Sequence, residues 1–353
     1  MSSRGDANYQ FEALSAAWKA SDGRIIVADR GQTSILFYAA DGRFLKRVAR
    51  QGEGPGELRR MGSAFPYRGD SIAVFDLAMR RMSIFDGEGR FSRSFANPVT
   101  YARRPGVIPS QSCCQIRGAF ADGSFVVHPP DDIPNRPGPP RYGMLSLIRL
   151  SPDGEQTDTI GTFTSVRYEY DASFPSDVRE YRTVLPFLYA VAADAVIGSN
   201  AADNVVVVAS ADGERLDTVR LGSPPPPFTD AMIEERERLL REDHTRRPQF
   251  YEGGLESSLG GTYPELAPAF SQIEIDTQGR IWVGEWTVPF SAYQADTAGR
   301  RYSVFTRNGE ALGAIMIPPG SRLAWAGERE VILIERDSLD VQYIRVYGIE
   351  SGH

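Results

Sequence analysis

A recurring unit constrains this chain more than any other feature: a β-rich run, a turn on Asp-Gly or a relative, a second β-rich run, and another such turn. The first copy reads Asp22-Gly23-Arg24-Ile25-Ile26-Val27-Ala28-Asp29, then Ser34-Ile35-Leu36-Phe37-Tyr38, then Asp41-Gly42-Arg43-Phe44-Leu45. The second runs through Gly69-Asp70-Ser71-Ile72-Ala73-Val74-Phe75-Asp76, Arg81-Met82-Ser83-Ile84-Phe85 and Gly87-Glu88-Gly89-Arg90-Phe91. Self-similarity at a period of roughly 40 to 50 residues marks a propeller or solenoid array, because one such unit cannot bury its apolar face alone. Two turn-separated strand pairs per period fit a four-stranded blade.

Six blades account for the chain: residues 15–49, 62–95, 115–162, 188–221, 271–317 and 322–348. The sixth has strand-like runs at Arg322–Ala326, Glu330–Glu335 and Val341–Gly348 and no fourth. The stretch Tyr9–Leu14 precedes the first strand of blade 1, and the expectation is that it completes blade 6 and pairs the exposed edge. The fold class is therefore all-β, one six-bladed β-propeller over residues 1–353, closed by an N-terminal strand in the last blade, with a helical insertion between blades 4 and 5.

The residues Gly23–Asp29, Gly279-Arg280-Ile281-Trp282-Val283 and the linker Gln51-Gly52-Glu53-Gly54-Pro55-Gly56-Glu57-Leu58 resemble the six-bladed propellers of the NHL-repeat type over nearly the whole chain. Many bacterial members of that group are exported. The resemblance implies a fold rather than an activity, since this architecture hosts binding modules, lactonases, phosphotriesterases, lyases and cyclases. Calcium-dependent hydrolases of the gluconolactonase and paraoxonase type place a Glu almost directly before the first-strand Trp. Here Trp18 follows Leu14-Ser15-Ala16-Ala17, with Glu12 further back, and Asn is scarce in the first strands. A metal-hydrolase reading is thereby weakened, no metal ligands are assigned, and a Ca²⁺ ion on other carboxylates stays open.

Composition narrows the partners. Asp and Glu number 46 against 39 Lys and Arg, a formal charge of -7, which argues against a sequence-independent nucleic-acid binder. No run approaches the roughly 18 apolar residues of a membrane span. The start Met1-Ser2-Ser3-Arg4-Gly5-Asp6 lacks the apolar core of a secretory signal, which fits a cytoplasmic protein or a mature exported domain. Cys113 and Cys114 are adjacent, so they read as two free thiols at a strand start or a strained vicinal disulfide, not as a staple between distant segments.

Strand parity gives the ring a direction. Turns after first and third strands share one face, and these are the short Asp-Gly and Asn-Gly turns. The long connections, residues 103–112, 129–142, 164–186, 222–268 and 286–301, all follow second and fourth strands. Segments of this length in a compact fold are usually functional or disordered, so the ligand is expected at the mouth they surround. Within the insertion at 222–268, Thr229 or Asp230 can cap a helix over Ala231–Glu242. That helix reads either as a lid over the channel or as a solvated helix braced by i,i+4 ion pairs.

The chemistry available at that mouth is mostly cationic and aromatic. Arg30, Arg80, Arg141, Tyr142, Tyr189, Arg247, Tyr251 and Trp286 are the candidate ligand-binding residues, within a wider set that includes Arg103, Arg104, Tyr168, Tyr170, Arg246 and Tyr293. Arginine grips carboxylate or phosphate through two parallel hydrogen bonds, and Tyr and Trp offer flat contact area at low entropic cost. The expected ligand is an anionic small molecule, peptide or glycan. His128 and His244 are the candidate proton-transfer groups; no nucleophile-elbow motif occurs. Alternatives are an enzyme at the same mouth, as a metal-assisted hydrolase, lactonase or lyase, and an interaction scaffold.

Overall fold

The computed structural model describes residues 7–99, 115–129, 141–170, 178–180, 187–199, 204–214, 216–222, 224–246, 248, 259, 263, 265–287, 299–337 and 339–350. Six antiparallel sheets follow one another along the chain. Blade 1 comprises Leu14–Lys19, Ile25–Asp29, Ser34–Tyr38 and Phe44–Val48, and blade 2 comprises Met61–Tyr67, Ser71–Asp76, Arg81–Phe85 and Phe91–Ala96. Blade 4 comprises Leu188–Val191, Ala195–Ser199, Val205–Ser210 and Leu216–Arg220, and blade 5 comprises Phe270–Ile275, Ile281–Glu285, Arg300–Phe305 and Ala311–Ile317. The first strand of every blade contacts the first strands of both neighbours, from blade 1 round to blade 6 and back. These six strands form the inner wall of the ring. The second and third strands of blades 1 and 2 are almost wholly buried, while the fourth strands contain no buried residue.

The Asp-Gly turns behave as their composition requires. Gly23 N–H donates to Ala20 O at 3.0 Å and Gly123 N–H to Phe120 O at 2.9 Å, with φ of 86° and 85°. This is a type I turn closed by a residue in the left-handed region, which glycine enters without a Cβ clash. The preceding Asp locks the turn by accepting the N–H two residues on, as Asp22 does from Arg24 and Asp122 from Ser124. Turns on this face also tie blade to blade: Ser21 N–H donates to Asp70 at 3.0 Å, Ala121 N–H to Ala193 O at 2.7 Å, and Thr277 N–H to Ala326 O at 3.3 Å.

The ring closes differently from the expectation. The segment before Leu14 forms no strand among its described residues: Ala7–Tyr9 is a 3-10 turn, and blade 6 is a three-stranded sheet of Ser321–Ala326, Glu330–Arg336 and Gln342–Gly348. Two physical reasons account for it. Tyr9 and Phe11 pack against Tyr38, with ring centroids 5.7 and 6.4 Å apart. The N–H groups of Glu12 and Ala13 are taken by the Asp29 carboxylate at 2.9 and 3.0 Å, so they have no need of a strand partner. Blades 6 and 1 are joined instead by Leu14 N–H donating to the buried Gln342 Oε1 at 2.7 Å, by Arg322 Nη2 donating to Leu14 O and Ser15 O at 3.3 and 3.4 Å, and by Lys19 with Glu330 at 2.5 Å.

Blade 3 also departs from the loop assignment. Its strands are Gln115–Ala119, Phe125–His128, Arg141–Leu150, Gln156–Tyr170 and Val178–Glu180, five in all. Much of the expected loop at 164–186 is thus a continued hairpin, with Arg141 opposite Tyr168 and Tyr142 opposite Arg167. Cys113 and Cys114 lie outside the described residues, as does the loop at 103–112.

Candidate functional site at the channel mouth

In blades 1 and 2 the last residue of the second strand gathers the backbone at the mouth. In blade 1 this is Asp29, wholly buried, whose carboxylate accepts from Glu12, Ala13, Gly31 and Gln32 N–H groups. Asp76 repeats the arrangement in blade 2 with Arg59, Arg60, Ala78 and Met79. Each pairs with the first residue of its inner strand, Leu14 or Met61. The same register position in blade 3, opposite Gln115, holds His128. An imidazole cannot replace a four-fold acceptor, so here the position serves something else.

His128 Nδ1 lies 3.2 Å from the Tyr189 hydroxyl, and the two rings stack at 5.6 Å with planes 18° apart. The stack continues through Phe187 and Phe163, at 5.9 and 4.6 Å. Burial, helped by the neighbouring Arg117 charge, depresses the His128 pKa to about 3, so the ring is neutral near pH 7. Burial likewise raises the Tyr189 phenol, which stays protonated. Arg117 lies on the inner strand of blade 3, is exposed, and makes no hydrogen bond or ion pair among the described residues. It occupies a bulge in that strand, and comparable register shifts interrupt the inner strands of blades 1, 2, 5 and 6. Bulges re-aim side chains and recur beside functional sites. Gly118 lets the wall close tightly here, since a Cβ on it would sit 2.6 Å from the Val191 side chain of blade 4.

A second polar cluster lies between the inner strands of blades 5 and 6. Glu274 is the fifth residue of Phe270–Ile275, and Arg322 the second of Ser321–Ala326. The Tyr302 hydroxyl, raised in pKa by burial, donates to Gln272 Oε1 close by. Water reaches part of Glu274, yet protein surrounds it closely enough to lift its pKa to about 7, with the Arg322 charge opposing the shift.

The expected ligand-binding residues divide. Tyr189 joins the stack described above, and Arg30 is exposed with its charge reaching Arg322. Arg80 adopts a positive φ of 49° and its guanidinium binds the Val99 carbonyl, so it holds the backbone beyond blade 2. Arg141 and Tyr142 belong to a strand of blade 3. Arg247 and Tyr251 lie outside the described residues. His244 sits half-exposed on the last turn of the helix Asp230–Arg246. Arg117, Glu274 and Arg322 escaped the sequence reading. Their signal was a charged residue within a run assigned to an innermost strand, where no outward solvent face exists to hold it.

The helix is capped by Thr229, whose hydroxyl accepts from Met232 N–H at 3.3 Å, and it carries the expected i,i+4 pairs, Arg238 with Glu242 among them. Its base is fixed to blade 5. Pro227 bridges Leu266, and the Phe228 ring lies between Tyr263 at 5.3 Å and Trp286 at 5.7 Å. Trp286 in turn packs on the core shared by blades 4 and 5. Trp286→Ala is therefore expected to cost about 2 kcal/mol, given its half-burial. It should also expose the Arg-rich helix to trypsin roughly tenfold faster by loosening its anchor. Unchanged cleavage rates on the same variant would show that Phe228 and Tyr263 suffice.

Among the described residues no group of three or more His, Cys, Asp and Glu converges as a metal site would require. No described helix is long and apolar enough to cross a membrane. Fold and wall together define a six-bladed β-propeller that carries Arg117 and Arg322 on its inner strands. Residues 16–102 match the DUF5128 family, described as a 6-bladed beta-propeller. Among solved structures, a member of the DUF4221 family from Bacteroides vulgatus is similar at 12% identity and TM-score 0.53, covering 97% of this chain and 95% of that one. A candidate exported protein from Bacteroides fragilis is similar at 10% identity and TM-score 0.51, over 98% and 93%. Virginiamycin B lyase from Staphylococcus aureus follows at 11% identity and TM-score 0.43, over 98% and 87%. At such identities the likeness is one of fold. No curated protein matches the chain in sequence.

Proposed function

We propose that the protein binds a small ligand bearing a carboxylate or phosphate, free or as part of a peptide or glycan, at the channel mouth. The carrying observation is Arg117, a guanidinium on the inner wall that has neither hydrogen bond nor ion pair among the described residues. A free fork of five donors beside a neutral imidazole–phenol pair suits an anion, because desolvating the arginine is repaid by charge-assisted bonds. Exposed Arg30, at the junction of blades 1 and 6, adds positive charge beside Arg322.

An enzyme at the same mouth is the second reading, and the His128–Tyr189 hydrogen bond is what favours it. An imidazole held at a pKa of about 3 is a weak general base near neutrality, so binding takes precedence. Titration calorimetry with acetate, citrate and inorganic phosphate tests the proposal. Arg117→Ala is expected to weaken whichever anion binds by about tenfold or more, the worth of a charged hydrogen bond. Equal affinity in the variant would refute it.

A further inference from the structure

In every blade the first ladder pair sets one second-strand residue at the mouth, and round the ring these are Asp29, Asp76, His128, Ser199, Glu285 and Glu335. All but His128 carry a side-chain oxygen. Gln115 faces His128, Ile116 faces Val127, and Arg117 is the bulged residue that follows, which makes Arg117 and His128 diagonal neighbours within reach of a long side chain. An aspartate here, as in blades 1 and 2, would pair with Arg117; the imidazole leaves the guanidinium uncommitted among the described residues. The hydrogens of the imidazole–phenol pair follow from satisfaction. The enclosed Tyr189 phenol keeps its hydrogen, and His128 Nδ1 at 3.2 Å is its one hydrogen-bond partner among the described residues. Were Nδ1 the donor, the phenol hydrogen would be stranded inside protein without an acceptor. Tyr189 therefore donates to Nδ1, and the neutral ring carries its own hydrogen on Nε2. Nε2 bonds to no described residue, and water reaches the half-buried ring, so this donor is open at the mouth.

We propose that His128 is the second donor of the anion site and Tyr189 the positioning residue that fixes its tautomer: an oxyanion held by Arg117 accepts a further hydrogen bond from His128 Nε2–H. The inference rests on the anion-binding reading of Arg117 and narrows it. A carboxylate or a phosphate has lone pairs enough for the guanidinium fork and the imidazole together. An amide sets N–H hydrogens against these donors and is rejected. The imidazole lone pair is spent on Tyr189, so His128 recognises the ligand and does not take a proton from it.

Nitrogen NMR of the full chain with isotope-labelled histidine reads the tautomer, and calorimetry with acetate, citrate, inorganic phosphate and, as the neutral control, acetamide reads the affinity. The expected spectrum at neutral pH shows His128 protonated on Nε2, with that resonance moving as anion is added and staying put with acetamide. His128→Asn should weaken the best-bound anion about tenfold, because its short amide stops where Nδ1 stood, whereas His128→Gln, whose amide nitrogen can take the place of Nε2, should stay within about threefold of the parent. Tyr189→Phe keeps the stacked ring without the hydrogen bond, so the Nδ1–H tautomer should appear and affinity fall about threefold. A parent spectrum with Nδ1 protonated, or a His128→Asn variant that binds like the parent while Arg117→Ala does not, overturns this inference and leaves the anion site standing. Arg117→Ala binding as well as the parent, or a parent that binds none of the anions, overturns both. Melting curves check that the variants fold, and the parent spectrum decides the tautomer with no substitution at all.

Discussion

Alanine in place of Asp76 is expected to lower the unfolding free energy by about 4 kcal/mol. The carboxylate accepts from Arg59 N–H at 2.6 Å, Arg60 at 3.3 Å, Ala78 at 2.9 Å and Met79 at 3.1 Å, and it is wholly buried. Truncation orphans four donors at once, and each orphan costs roughly 1–3 kcal/mol, less whatever water and a relaxing turn recover. Asp76→Asn should fall between, since an amide keeps one acceptor oxygen and sets two N–H donors against the others. The exposed turn residue Asp41, which accepts from Arg43 N–H alone, is the control, and Asp41→Ala should cost under about 1 kcal/mol. Denaturant titration of the three variants checks the ranking. A cost for Asp76→Ala as small as that for Asp41→Ala would mean that the turn finds other acceptors.

The same aspartates show what a linear reading can reach. Turn chemistry is local, so Asp-Gly at a fixed offset marked the hairpins, the blade count and the face they close. Asp29 and Asp76 were visible as repeated residues, but not as four-fold acceptors, because half of their donors lie 16 or 17 residues back in the chain. That is also why the stretch before Leu14 resembled a strand: its alternation was real, while its backbone donors were spent on a side chain. The extended hairpin of blade 3 is legible in the alternation Ser165-Val166-Arg167-Tyr168-Glu169-Tyr170, although the length of the segment between blades also fits a loop. The channel wall was the least accessible. Leu14 meets Gln342 across 328 positions, and Glu274 comes near Arg322 only once the inner strands of blades 5 and 6 pack side by side.

Two enclosed residues, His128 and Glu274, should tilt the stability of the protein against pH in opposite directions. His128 is held at about 3, below the ordinary 6.5, so the folded state binds fewer protons than the unfolded chain between those values. Its contribution is intact above pH 6.5 and is lost as pH falls toward 3. Glu274 is held at about 7, above the ordinary 4.5, so the folded state keeps a proton that the unfolded chain has released. Its contribution is intact below pH 4.5 and is lost as pH rises toward 7. Between pH 4.5 and 7 the two slopes run against each other and nearly cancel. Removing one group uncovers the other: relative to the parent, Glu274→Gln should gain about 2 to 3 kcal/mol in stability on going from pH 4.5 to 7, and His128→Gln should lose a similar amount over the same interval. The lost ring stack shifts the His128→Gln curve by a constant and leaves its slope untouched, so the slope is the quantity to read. Urea titrations of parent and variants at half-unit pH intervals measure it. Parallel curves for all three proteins would mean that both side chains titrate near their ordinary values, and that the inner wall is as well hydrated as an open surface.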